Sequence, residues 1–407
     1  MLVSEQSVFQ RFFADYAASR SLHPRELRAA QCIRDCGTLA MGAHVLSCPS
    51  GALEQLQFHA CRHRSCPRCA RTSRSLWADA QLQRLLPCPH FHVIFTLPHE
   101  LLPLWAFNRS RFLPLFMRCV RESLLELMGS PRFLGVTPGL IMSLHTWGRT
   151  LSHHPHVHCL LTAGGLSHDG RWLACREGWL LPVKALQQLF RGKLLHALRS
   201  SLHLGWALPE HCAELPLWLS LIRQLYRKHW NIEIRPPYDH GRGVLLYLAR
   251  YAKGGPVPSH RCLDLDGHTV RMPYLDHRDH QLKTLTLSTD EFISRVLWHA
   301  PPRGLHTTRH AGLYTAARRR DHQRAQHQLA LSPSPTPWPR PHPPPPPALN
   351  TLCQHCGLPM VRSRRLPASG LLGPRAHHLG EVSPPHQRRS HRARSLRTQR
   401  GPTPRSS

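Results

Sequence analysis

The stretch Ser152–Leu161, with the sequence SHHPHVHCLL, constrains most strongly how this chain folds. Its second half is rich in valine, leucine and cysteine, which predicts a strand over residues 157–162. Because side chains alternate along a strand, His156, His158 and Leu160 share one face, and residues 157, 159 and 161 share the other. Two neutral imidazoles at this spacing can bind one metal ion.

The histidine pair alone does not establish a metal site. The chain has 33 histidines, so two ordinary histidines on a strand face are an equally good reading. A second pair, His90 and His92, begins a segment of β-branched and aromatic residues that predicts a strand over 90–98. Spacing alone does not indicate which of the two histidine pairs binds a metal ion.

Charge indicates the class of partner. The net charge is +30 and the isoelectric point is near 11.0, which points to a polyanion and most simply to nucleic acid. Only five of the 53 basic residues are lysine, which a GC-rich coding sequence also explains. The N-terminus lacks the pattern of a secretory signal, and no apolar stretch reaches about 18 residues. We therefore expect a cytoplasmic protein, with no membrane and no small-molecule substrate among its partners.

The 14 cysteines indicate metal binding, because clustered cysteines in a reducing cytosol bind metal more often than they form disulfides. Cys66 and Cys69 form a Cys-x2-Cys half-site for zinc. A second such half-site is incomplete, since Gly51 follows Cys48 at the position where a cysteine is required. We expect zinc to be bound by Cys48, Cys61, Cys66 and Cys69. Either His63 or Cys36 is an alternative ligand, and inert buried thiols are the alternative interpretation.

A short basic helix is predicted over residues 244–253. Its tyrosines, Tyr247 and Tyr251, are four residues apart and therefore lie on one face, with Arg250 and Lys253 close by. Two core tyrosines of an amphipathic helix would give the same pattern. The other predicted elements are helices over 8–34, 72–86, 101–128, 183–204 and 215–228, strands over 139–147 and 230–234, and a hairpin turn at Asp266-Gly267.

Composition changes after about residue 321. Proline runs and sequence rich in arginine, histidine and serine cannot build a core, so we expect a disordered tail over 321–407. A lone Cys-x2-Cys at Cys353 and Cys356 interrupts the tail. It is either a second zinc half-site or the relic of one.

Several motifs occur in one order. They are FHVIFTLPHEL at 91–101, HTWG at 145–148, HPHVH at 154–158 with GGL at 164–166, PPY at 236–238 and YLARY at 247–251. With the cysteines that end at Cys69, this order resembles the rolling-circle transposases of insertion sequence 91, in the HUH superfamily. The resemblance covers roughly residues 8–318.

The resemblance implies an α+β fold: an HUH nuclease-like antiparallel sheet with flanking helices, the histidine pair on a central strand and the tyrosine helix beside it. A small Cys-rich zinc-binding DNA-binding domain would span 1–86, the catalytic domain 87–320 and the disordered tail 321–407. A nucleoid-associated bacterial location follows from this family.

The implied reaction is cleavage and rejoining of single-stranded DNA, at element ends and target, through a 5′-phosphotyrosine. Tyr247 and Tyr251 would be the nucleophiles, and His156 and His158 would hold Mg²⁺ or Mn²⁺, since motif order assigns the other pair to an upstream strand. The third metal ligand is open among His154, His145 and His92. Arg250 and Lys253 would contact flanking phosphates, and the N-terminal domain would bind Zn²⁺.

The chain departs from the family pattern at Gly51 and at Ser65, where relatives tend to have cysteine and histidine. Two alternatives follow. One is a replication initiator or relaxase with the same chemistry. The other is a catalytically inactive zinc-type DNA-binding remnant, for which paired tyrosines would have no use.

Overall fold

The computed structural model describes residues 2–200, 205–208, 214–238, 241–252, 254–257, 263–276, 279–331 and 352–368. Its helices are α1 (Glu5–Ala18), α2 (Pro24–Asp35), α3 (Pro67–Leu82), α4 (Leu102–Gly129), α5 (Val183–Ser200), α6 (Leu215–Arg227), α7 (Arg242–Ala252), α8 (Thr289–Trp298) and α9 (Arg319–Leu331). Its strands are β1 (Leu2–Val3), β2 (Ala43–Ser47), β3 (Glu54–Phe58), β4 (His90–Thr96), β5 (Val136–Thr137), β6 (Gly139–Trp147), β7 (His153–Thr162), β8 (Gly164–Ser167), β9 (Trp172–Ala174), β10 (Ile232–Tyr238), β11 (Leu263–Asp266), β12 (Thr269–Leu275), β13 (Leu282–Ser288), β14 (Thr308–Gly312) and β15 (Val361–Leu366).

A five-stranded sheet organises the molecule, with strand order β10-β4-β7-β6-β14. Every neighbouring pair in it is antiparallel. The strand that carries the histidine pair, β7, lies in the centre, as predicted. The α+β fold class with antiparallel sheets is therefore confirmed.

The two faces of this sheet have different neighbours because side chains alternate. Val157, Cys159 and Leu161 point into the main core, which α4, α5 and α6 cover. Leu160 points the other way, into a second core that includes residues of α7 and α9. Burial of one such leucine stabilises the fold by roughly 1.5–3 kcal/mol. The alternation predicted for this strand is confirmed, and it directs His156 and His158 toward the face on which α7 lies.

The N-terminal helices α1 and α2 do not form a separate hydrophobic core. Apolar residues of α1 recur at helical spacing, and Phe9 and Phe13 are buried with Phe292 of α8 and Leu263 of β11 in a third core. The strand β1 extends a four-stranded sheet of order β1-β11-β12-β13. The expected boundary at residue 86 thus differs from the structure, because residues far apart in sequence bury one shared apolar surface.

The expected tail also differs from the structure in two segments. Helix α9 continues to Leu331, and Gln328 on it accepts a hydrogen bond from the backbone of Trp172 at 2.7 Å. Strand β15 pairs with β2 in the sheet β15-β2-β3. The rest of the expected tail, residues 332–351 and 369–407, lies outside the described residues.

The strand predicted over residues 230–234 extends further in the structure. Strand β10 continues to Tyr238, with an irregular register between Arg235 and Tyr238. Proline has no N–H to donate, but β10 is an edge strand, where proline is tolerated. Of the helices in the described ranges, none combines the length and the apolar character needed to cross a membrane.

Candidate functional site

Three histidines converge on one face of the central sheet. His145 on β6 and His156 and His158 on β7 place one ring nitrogen each within 4.8 Å of the others. The antiparallel register causes this, because His145 lies directly opposite His156. The ring centroid of His145 is 3.8 Å from that of His158 and 5.1 Å from that of His156. The predicted pair is thus brought together, and of the three candidates for a third ligand His145 joins it.

The protonation state of this cluster suits a metal ion, which binds only neutral imidazole. Burial lowers the pKa of His156 to about 4. Burial and the neighbouring histidines also hold the pKa of His145 and that of His158 well below the usual 6.5. All three rings are therefore neutral at pH 7.

Hydrogen bonds orient the two histidines of β7. The Nδ1 atom of His156 donates to the backbone carbonyl oxygen of His154 at 2.5 Å. The Nδ1 atom of His158 is 2.6 Å from Nε2 of His92. A bond at Nδ1 directs metal coordination to Nε2, the usual arrangement around protein-bound metals. The other two candidates for the third ligand therefore lie beside the cluster and support it.

The competing histidine pair has a different environment. His90 is fully buried and donates from Nδ1 to the carbonyl oxygen of Cys88 at 2.8 Å. Its Nε2 accepts from the Tyr314 hydroxyl at 2.7 Å, and that hydroxyl accepts from the backbone N–H of Leu86 at 3.1 Å. Both ring nitrogens are thus used within the core, which leaves His90 no ligand role.

The tyrosine helix lies over the histidine cluster. Val244, Leu245 and Leu248 bury one side of α7 against Ile141 and Leu160 of the sheet. This packing turns Tyr247 toward the cluster. Its ring centroid lies 5.4 Å from that of His158, 5.6 Å from that of His92 and 6.0 Å from that of His145.

Tyr251 lies one helical turn after Tyr247 on α7. Its side chain, the side chain of Arg250 and the whole of Lys253 lie outside the described residues.

Sequence reasoning overlooked Arg235 on β10. It lies opposite His92 in the register and pairs with Glu233, with 2.8 Å between Nε and Oε1. Burial and, second, the charge of Arg235 lower the pKa of His92 to about 4. The same cation is within electrostatic reach of Tyr247. The sequence feature that could have identified Arg235 is its position directly before the Pro-Pro-Tyr motif.

A four-cysteine cluster lies where α2 ends and α3 begins. The sulfur atoms of Cys36, Cys61, Cys66 and Cys69 all lie within 4.8 Å of one another. The Sγ of Cys69 is 3.5 Å from that of Cys36 and 3.6 Å from that of Cys61. It also accepts the backbone N–H of Arg62 at 3.2 Å, as thiolate ligands commonly do.

The expected ligand set therefore needs one correction. Cys36 completes the cluster, and Cys48 lies in a separate group with Cys353 and Cys356. The physical reason is local geometry: Cys36 caps the C-terminus of α2, whereas Cys48 follows β2 at the far end of its small sheet. His63, the other alternative, accepts the backbone N–H of Ser65 at its Nδ1.

Packing contacts connect the segment that carries the cysteine cluster to the tyrosine helix. Helix α3 begins immediately after Cys66 and packs against α7. After α7, the backbone at Gly255 approaches so closely that a Cβ there would lie 2.8 Å from the carbonyl oxygen of Ser65. Displacement of the cluster would therefore disturb the helix that carries Tyr247.

Family models match two parts of the chain. A model described as "Putative transposase" matches residues 139–322, which include the three histidines and α7. A model described as "Transposase zinc-binding domain", of the IS91 type, matches residues 8–97, which include the four-cysteine cluster. No solved structure matches the chain.

Two relatives are transposases by name. "Putative transposase y4qJ" of Sinorhizobium fredii is 35% identical over 331 residues, which cover 78% of this chain and 82% of that protein. "Transposase for insertion sequence element IS801" of Pseudomonas savastanoi pv. phaseolicola is 32% identical over 287 residues, 68% of this chain and 67% of that protein. A transposase acts on DNA, and a zinc-binding domain of this type accounts for a cluster of four thiols. The chain belongs to the IS91 family of transposases.

Proposed function

We propose that this transposase cleaves and rejoins single-stranded DNA in rolling-circle transposition, with Tyr247 as a nucleophile. The observation that carries the proposal is the position of the Tyr247 ring, 5.4 Å from that of His158 and 6.0 Å from that of His145. A tyrosine next to three convergent neutral imidazoles is the arrangement that a phosphotyrosine mechanism needs. DNA binding alone would not require it.

The donor set fits a divalent ion. His145, His156 and His158 would hold it, with the Nδ1 atoms of the latter two engaged in orienting contacts. Of the two expected ions, Mn²⁺ suits three imidazoles better, because Mg²⁺ prefers oxygen ligands. When bound, the ion supplies Lewis-acid polarisation of the scissile phosphate.

The residues of the chain perform the remaining steps. The hydroxyl oxygen of Tyr247 attacks the phosphorus, a Tyr–O–P bond forms, and the bond from phosphorus to the 3′-oxygen breaks. The phenolic proton ends on that 3′-oxygen, so the products are a 5′-phosphotyrosine and a free 3′-OH. Arg235, whose charge interacts with Tyr247, would pair with the phosphate in exchange for Glu233. The covalent intermediate conserves the bond energy, so rejoining needs no ATP.

A second nucleophile would allow two strands to be held in turn. Tyr251 is four residues after Tyr247 and shares its helix face. We assign it this role, and we assign Arg250 and Lys253 to the flanking phosphates. The proposal for these three residues rests on their spacing in the helix.

The four-cysteine cluster is proposed to bind Zn²⁺ through Cys36, Cys61, Cys66 and Cys69. Four thiolates are a closed, structural set of ligands with no open position for catalysis. Zinc there would hold the start of α3, which in turn supports α7.

The proposal predicts a covalent adduct that resists denaturant. The full chain would be incubated with Mn²⁺ and oligonucleotides that span the element ends, and the adduct measured by denaturing electrophoresis. The wild type and a Tyr226→Phe control, altered at an exposed tyrosine of α6, should form equal amounts. The double variant Tyr247→Phe/Tyr251→Phe should form none, and His156→Ala should form at least about tenfold less. An adduct that persists in the double variant would contradict the assigned nucleophiles.

A further inference from the structure

A second group of cysteines lies outside the site described above. The Sγ atoms of Cys48, Cys353 and Cys356 all lie within 4.8 Å of one another. Cys48 and Cys356 are 308 residues apart in sequence, yet their sulfur atoms are 3.2 Å apart. Bringing such distant parts of the chain together costs conformational entropy, which the tertiary structure must offset.

The backbone on both sides forms the tight turns typical of zinc half-sites. The N–H of Gly51 donates to the carbonyl oxygen of Cys48 at 2.9 Å, and the N–H of Gly357 donates to that of Cys353 at 2.8 Å. Gly357 has φ +70°, a left-handed conformation that favours glycine. The Cys-x2-Cys of the C-terminal segment is therefore built as a knuckle and not as an irregular loop.

The sheet brings the two turns together. Strand β15 follows the C-terminal turn and pairs with β2, which leads into Cys48, with Val361 opposite Ser47. The hydroxyl oxygens of Ser47 and Ser363 are 2.6 Å apart at this end. The register thus fixes the distance between the cysteines from both segments.

Neither a disulfide bond nor burial of apolar thiols explains why three sulfur atoms lie this close together. A bond between Cys48 and Cys356 would leave Cys353 as a buried thiol next to it, and Cys356 itself is exposed. The Ser50 hydroxyl is 3.0 Å from the sulfur of Cys48 and 3.5 Å from that of Cys356. Three thiols and one polar neighbour, open to solvent on one side, have the composition of a metal site with three sulfur ligands.

We propose that Cys48, Cys353 and Cys356 form a second zinc site, with the fourth position taken by water beside Ser50. Gly51 stands where a knuckle would have its fourth sulfur, and a Cβ built on Gly51 would meet no atom within 4 Å. The site therefore has three thiolates in place of four. It is independent of the strand-cleavage chemistry proposed above.

Zinc at this position would attach the C-terminal segment to the small sheet near the N-terminus. The attached strand is strongly basic: Arg362, Arg364 and Arg365 all lie on β15 and are exposed. Exposed arginines held on a fixed strand can contact phosphates of DNA with a smaller entropic cost than arginines on a free chain. The site thus adds an ordered basic strand to a DNA-binding protein.

The zinc content of the full chain tests this proposal. Protein purified with a non-thiol reductant and passed over a weak chelator would be measured by inductively coupled plasma mass spectrometry. Cys353→Ser/Cys356→Ser should contain one zinc ion fewer per chain than the wild type. Cys175→Ser, at a cysteine outside both clusters, is the matched control and should match the wild type.

The expected difference in zinc content should also be found when the histidine cluster is altered. In a His156→Ala background the same loss of one zinc is expected, which separates this site from zinc bound at the histidine cluster. If the double variant does not fold, Cys48→Ser, which leaves the C-terminal turn intact, should show the same loss. Equal zinc content in wild type and cysteine variants overturns the proposal, as does a Cys48–Cys356 disulfide found without the extra zinc.

Discussion

Neighbouring histidines in this site are expected to have different roles, because each one makes different contacts. His145, His156 and His158 present ring nitrogens to a common point, whereas His92 contacts Nδ1 of His158. His154 contacts His156 through its backbone carbonyl, which a change of side chain leaves in place. Chemically identical side chains are thus expected to have different effects when removed.

Calorimetric titration with Mn²⁺ would test this division. His145→Ala should abolish measurable binding, because it removes one of three ligands. His92→Ala should weaken binding by about 10- to 100-fold, as loss of an orienting partner does. His154→Ala is the matched control and should bind as the wild type does. Equal loss in His145→Ala and His154→Ala would show that the third ligand is assigned incorrectly.

At the scale of elements, the contact between α3 and α7 connects the two clusters. The four cysteines position the start of α3, and α3 supports the helix on which Tyr247 lies. A second contact links the segments next to these helices: a Cβ on Gly255, which follows α7, would lie 2.8 Å from the backbone carbonyl oxygen of Ser65, which precedes α3. A small shift of α7 would move Tyr247, the proposed nucleophile, away from the position proposed for the phosphate.

We expect Gly255→Ala to reduce adduct formation by about 10- to 100-fold, because sub-ångström to 1 Å misplacement of a reacting group has effects of this size. Its control is Gly192→Ala in α5, where a Cβ would meet no atom within 4 Å. That control should retain full activity. The initial rate of adduct formation is the measurement, and wild-type activity in Gly255→Ala would argue against the coupling.

For the whole molecule, buried histidines make stability depend on pH. Burial lowers the pKa of His90 to about 4 and that of His299 to about 3. An unfolded chain takes up these protons near pH 6.5, whereas the folded chain takes them up only near pH 4 or below. The free energy of unfolding is therefore highest above pH 6.5 and falls as pH decreases toward 4.

The effect of one such histidine reaches about 3 kcal/mol at pH 4, from roughly 2.5 pKa units at about 1.4 kcal/mol each. Buried Glu5, whose pKa is raised by burial, acts in the opposite direction over the same range. Among the described residues, histidines with a lowered pKa outnumber it, so the unfolding free energy changes with pH in the direction given above. Urea denaturation at pH 7, 6 and 5 would measure this, and a constant unfolding free energy would contradict it.

Much of this structure follows from local pattern. Strand β6 covers the residues predicted from composition alone, 139–147, and β7 shows the predicted alternation of faces. Helix α7 forms because its apolar residues recur at helical spacing and bury against the sheet. These properties depend on neighbours in sequence, which is why sequence was sufficient to predict them.

The sequence by itself determined the α+β class, the histidine pair, the tyrosine helix and, through the order of its motifs, the family. Only the tertiary structure chose His145 as the third convergent histidine, exchanged Cys48 for Cys36 and brought Cys48 to the distant Cys353 and Cys356. Strand register and packing between remote segments decide these groupings. A register shift of one residue would turn His145 to the other face of its sheet, and nothing in a linear pattern specifies which strands meet.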